Sequence, residues 1–170
     1  MARARKRAAR RRPARRAKPA TRPATRPAPR HHATPPADAE RRLLALAREM
    51  ETLGADALPG AIHTLAAAYA PDGELPIAVH RAWLAARTDK TAALALAWAR
   101  EQLRLGLQAV IEATPPSARG VLALPSDTLA WLLLAACESL AHEPPSAAAD
   151  RLRTLLSVTS RAASPPEAAR

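Results

Sequence analysis

The chain has 170 residues, enough for one domain with an extension. Its 26 Lys and Arg residues against 15 Asp and Glu give a net charge of +11, which points to a polyanionic partner. A single cysteine, Cys137, excludes an intrachain disulfide framework, and no apolar run approaches the roughly 18 residues that a membrane-crossing helix requires.

The charge is unevenly spread. Residues 1–37 hold 13 of the 26 basic residues and none of the 15 acidic ones, which leaves −2 on residues 38–170. Arg3, Arg5, Lys6, Arg7, Arg10, Arg11, Arg12, Arg15 and Arg16 form a dense cluster. Lys18, Arg22, Arg26 and Arg30 follow at four-residue spacing, in the repeats Lys18-Pro19-Ala20-Thr21, Arg22-Pro23-Ala24-Thr25 and Arg26-Pro27-Ala28-Pro29. The first Leu, Ile or Val of the chain is Leu43, so this stretch has nothing with which to build a core. Its seven prolines oppose a helix and favour an extended, polyproline-like rod. Residues 1–37 are therefore expected to be a disordered arm that associates with DNA through phosphate contacts, without sequence readout. No aromatic side chain interleaves the cations, so stacking on single strands is not expected. The competing expectation is an inert extension from a gene start placed too far upstream. Arg outnumbers Lys 23 to 3, a bias that a GC-rich gene also produces. The basic start lacks the apolar stretch of a secretory signal, and the absence of Ser argues against an organellar transit peptide. The expected location is cytoplasmic, nucleoid-associated if the arm holds DNA.

From Asp38 the apolar spacing becomes helical, and the fold is expected to be all-α, about six helices in a bundle over residues 38–160. The first helix is predicted at 38–53, capped by Asp38 and stopped by Gly54, with Leu43, Leu46, Ala47, Met50 and Leu53 on one stripe. The second, at 58–70, has Pro59 in its first turn and a stripe of Ile62, Leu65, Ala66 and Tyr69, and Pro71-Asp72-Gly73 follows as a turn. The third, at 76–87, offers Ile77, Val79, Trp83 and Leu84 as its apolar members. The fourth, at 89–113, has two stripes, Leu94-Trp98-Leu105 and Leu96-Leu103-Leu107-Val110, and is expected to be covered on both sides. The fifth, at 126–143, is capped by Ser126 or Asp127 and is apolar all round from Leu129 to Cys137, so a partner subunit is expected to supply part of its cover. The sixth, at 146–159, lines up Ala148, Leu152, Leu155, Leu156 and Thr159. Residues 161–170 are expected to be disordered.

The run Ala95-Leu96-Ala97-Trp98-Ala99-Arg100-Glu101-Gln102-Leu103-Arg104-Leu105-Gly106-Leu107, the entry Leu124-Pro125-Ser126-Asp127 and the apolar helix Leu129–Cys137 resemble the C-terminal regulatory domain of TetR-family transcriptional regulators. The resemblance is best over residues 89–160 and weaker over 38–88. It implies a homodimer joined through the last two helices, here Leu129, Leu132, Leu133, Ala136, Leu140, Leu152, Leu155 and Leu156. It also implies that the preceding helices enclose a pocket for a small inducer. The family's N-terminal helix-turn-helix has no counterpart in residues 1–37, which lack its apolar positions, so operator reading is not implied.

The pocket residues expected from residue type are His63, Tyr69, Trp83 and Trp98, with Arg100 and Arg104 as polar contacts for a small apolar ligand. Enzymatic chemistry is not expected: there is no Gly-rich phosphate loop, no GxSxG elbow and no paired-histidine helix motif. His31-His32 stand without nearby Cys or carboxylates, so neither a metal nor another cofactor is expected. Cys137 reads as a small core residue. The alternative function is a protein-interaction or small-molecule-binding helical domain whose extension is inert.

Overall fold

The structure, a computed structural model, describes residues 35–53, 57–119 and 124–160. The cationic arm, His31, His32, Gly54 and residues 161–170 lie outside the described residues. The described chain is all-α, without a strand: α1 (Pro35–Thr52), α2 (Leu58–Ala68), α3 (Glu74–Ala86), α4 (Lys90–Ala113), α5 (Ser126–Leu140) and α6 (Pro145–Ser160), with one 3-10 turn at Pro116–Ala118. None of these helices is long and apolar enough to cross a membrane.

α1 begins at Pro35, three residues before the expected cap. Asp38 instead sits in the first turn, where a carboxylate complements the positive end of the helix. It accepts hydrogen bonds from Arg41 Nη2 (2.9 Å) and Arg42 Nε (3.1 Å). Of the expected stripe, Leu43, Leu46, Ala47 and Met50 are buried, and Leu53, just past the helix end, is partly buried. The stripe lies along α4 and α3, and α4 answers with Ala99, Leu103 and Val110 on the face that carries Gly106. Gly106 sets how near the two helices come. A Cβ there would stand 3.2 Å from the Ala47 carbonyl oxygen and 3.3 Å from Met50 Cβ.

α4 is started by Asp89, whose Oδ1 accepts from the backbone N–H groups of Thr91 (2.9 Å) and Ala92 (3.1 Å). At its far end Thr114 is buried and donates its hydroxyl to the Val110 carbonyl (2.8 Å). Neither residue expected to cap α5 does so by a side-chain bond; Pro125 occupies the cap position. Ser126 donates to Glu112 Oε1 instead (2.9 Å), tying the start of α5 to the end of α4. The two helices therefore run antiparallel, which brings mid-α4 beside the C-terminal part of α5. α2 packs against α5 and α6.

Three expectations about burial are corrected. The inward face of α3 is Leu75, Ala78, Ala82 and Ala86, whereas Ile77, Trp83 and Leu84 are about half exposed. Small residues at 3–4 residue spacing let α3 settle closely on α1 and α4, and the bulky ones are turned out. Only one of the two α4 stripes is covered: Leu94 is 72% and Trp98 52% exposed. α5 finds most of its cover within the chain, with Leu129, Ala130, Leu133, Leu134, Cys137 and Leu140 buried by α2, α4 and α6. Trp131 and Leu132 remain open.

Candidate functional site

Three helices contribute one polar cluster. α2 ends at Ala68, and Tyr69 follows as its C-cap with the ring buried. The antiparallel pairing of α4 and α5 sets Arg100 opposite Glu138. Arg100 Nε donates to Glu138 Oε1 (2.7 Å) and Nη2 donates to Oε2 (2.6 Å), a fork matched to both carboxylate oxygens. Tyr69 donates its hydroxyl to the same Oε1 at a longer 3.4 Å. The ion pair is partly shielded, with the two side chains 33% and 26% exposed. The bond to Glu138 raises the Arg100 pKa. Burial, reinforced by the Glu138 charge, pushes the Tyr69 phenol well above its ordinary value, so it stays a neutral donor.

Beside this cluster lies a groove of about 340 Å³. Pro76, Val79 and Trp83 of α3 form one wall, and Ala141 follows the end of α5 on the other. His80 and His142, both exposed, sit at its lip. Tyr69, Arg100 and Glu138 complete the lining.

The structure thus brings together three of the six expected pocket residues, Tyr69, Trp83 and Arg100. His63 is exposed on α2 and does not line the groove. Trp98 lies on the open face of α4. Arg104 is one turn further along α4; it pairs with Glu101 (2.7 Å), donates to Gln108 (2.9 Å), and faces a shallow hollow with Asp127, Thr128 and Trp131. These three are corrected: His63 is turned to solvent, Trp98 stands two residues before Arg100 and so on the opposite side of α4, and Arg104 is held by partners on its own helix. Glu138, His80 and His142 were missed by residue-type reasoning. Glu138 carried a readable signal, because a carboxylate inside an otherwise apolar helix calls for a cation on its neighbour.

The residues expected at a subunit interface divide in two. Leu129, Leu133 and Leu140 are buried in the chain's own core, which corrects their assignment to a partner-facing surface: they anchor α5 and leave no area for a second chain. Leu132 is 39% exposed, and Ala136, Leu152, Leu155 and Leu156 are half-buried. Ala136 and Leu155 line a small hollow of about 240 Å³ between α5 and α6 with Ser139, Arg151 and Thr154. Cys137 is fully buried, and burial pushes its thiol up to about 12. Among the described residues no three His, Cys, Asp or Glu side chains converge as a metal site. No protein-family model, curated protein or solved structure matches this chain.

Proposed function

We propose that this chain is a non-enzymatic, dimeric regulator resembling a TetR-family C-terminal domain. In this reading the helical body senses a small, largely apolar ligand and the arm holds DNA through phosphates alone. The observation that carries the DNA association is the division of charge, with 13 unopposed cations before residue 38 and −2 after it. The ligand role is supported by the groove of Tyr69, Trp83 and Arg100, whose volume of about 340 Å³ suits a small molecule. The dimer is supported by the residues of α5 and α6 that the chain leaves partly open, Leu132, Ala136, Leu152, Leu155 and Leu156. Two arms on one dimer would raise avidity without adding sequence readout.

The test is a gel-shift series in salt with the full chain and a variant lacking residues 1–34, which leaves α1 whole. If about 6–10 arm cations engage phosphates, affinity falls as roughly the fifth to ninth power of salt concentration. The shortened chain loses both the affinity and the slope. Equal affinity with and without the arm overturns the DNA role. A second reading, docking of a protein partner with an inert arm, draws support from the open α4 stripe of Leu94, Trp98 and Leu105.

A further inference from the structure

The groove has a donor surplus. Its one carboxylate, Glu138, is already engaged by Arg100 through two bonds and by Tyr69 through a third. Its one cation is not exhausted. Arg100 spends Nε and Nη2 on Glu138, and Nη1 donates to no described residue. The bidentate bond holds the guanidinium in one plane, so that its remaining edge is pre-set for a second acceptor. His80 and His142 add imidazole N–H donors at the lip, and no other acidic side chain lines the groove. The α3 wall that carries His80 also offers an apolar surface. Trp83, still 48% exposed, offers a ring face beside Val79 and Pro76. A volume of about 340 Å³ is at the small end for ligand sites, room for one or two fused rings.

We propose that this groove binds a small planar aromatic carboxylate, its ring against Trp83 and its carboxylate on Arg100 and the two imidazoles. The inference rests on the reading of the groove as a ligand site and sharpens it: the recognised class is an aromatic acid, not an apolar molecule in general. A neutral ring system would fill the same slot but leave the donors with water. An ammonium would meet Arg100 with Glu138 already spent.

Equilibrium dialysis of the full chain with three probes of one shape tests this: naphthalene-2-carboxylate, its carboxamide, and naphthalen-2-ylmethylammonium. The carboxylate is expected to bind about tenfold or more tighter than the amide, as a charge-assisted bond would give, with the ammonium weakest. Trp83→Ala should weaken carboxylate and amide alike by about tenfold, because the ring face serves both. The paired variant Arg100→Gln/Glu138→Gln removes both charges and leaves two amide side chains that can still pair, and should abolish the preference while amide binding stays. Circular dichroism of each variant verifies the helical body. An amide or ammonium that binds as tightly as the acid overturns the aromatic-acid assignment and leaves the groove a ligand site. A preference that survives in the paired variant overturns the role of Arg100. Failure of all three probes to bind overturns the ligand-site reading itself.

Discussion

Two contacts made by α4 show opposite ways of joining helices. Toward α1 it presents Ala99, Leu103, Gly106 and Val110, all buried, and the seam is closed by shape alone. Toward α5 and the end of α2 it presents Arg100, and the joint is a partly open salt bridge with a tyrosine hydroxyl beside it. The seam has nothing to offer a ligand, because every surface is filled. The polar joint stabilises less per atom, since water competes for its charges, but it leaves donors and a ring face free. One helix thus carries a sealed apolar face and an open polar one.

Urea unfolding of seam variants is the strongest way to sharpen that contrast. Leu103→Ala should cost about 2–5 kcal/mol through lost transfer energy and the cavity left behind. Overpacking the same seam is next. Gly106→Val places atoms against the Ala47 carbonyl, and should cost about 1–3 kcal/mol with a lower thermal midpoint. At the polar joint, Glu138→Gln keeps the shape and removes the charge, with an expected loss of about 1–2 kcal/mol. A loss as large as that of Leu103→Ala would break the distinction between the two faces.

The only tyrosine of the chain gives a pH test. Its folded pKa is raised, so above the ordinary value near 10 the unfolded chain releases this proton before the folded one does. Tyr69's contribution to stability is therefore intact below pH ~10 and declines as pH rises further, by up to about 1.4 kcal/mol per pH unit. Tyrosinate absorbance should rise together with unfolding, not before it. The smallest effect belongs to the open stripe of α4: Leu94→Ser, at a side chain 72% exposed, should change stability by no more than about 0.5 kcal/mol.

Helix number and type were legible because prolines and apolar spacing agreed with one another, although the caps expected at Asp38 and at Ser126 or Asp127 were not realised. Pro59 falls in the first turn of α2, Asp89 caps α4, and α4 ends at Ala113 before the prolines. The inward face was legible where it is built from large residues, as in α1 and α2. It was misread in α3, where alanines face inward and Trp83 faces the groove. Hydrophobicity ranks a Trp above an Ala for burial, but close helix packing reverses that order when backbones must approach. The polar site was half legible. Tyr69, Trp83 and Arg100 stand out by residue type, whereas their meeting with Glu138 depends on the α4–α5 register. That register is set by tertiary contacts, Ser126 to Glu112 among them.

The closure of α1 on α4 also orders events during synthesis. α1 is complete at Thr52, but the surface that covers it is not finished until Ala113. At about 5–20 residues per second, a nascent chain carries the stripe of Leu43, Leu46 and Met50 incompletely covered for roughly 3–12 s. During that interval α3 is the only helix available to lie on that stripe, and the arrival of Leu103 and Gly106 completes its cover.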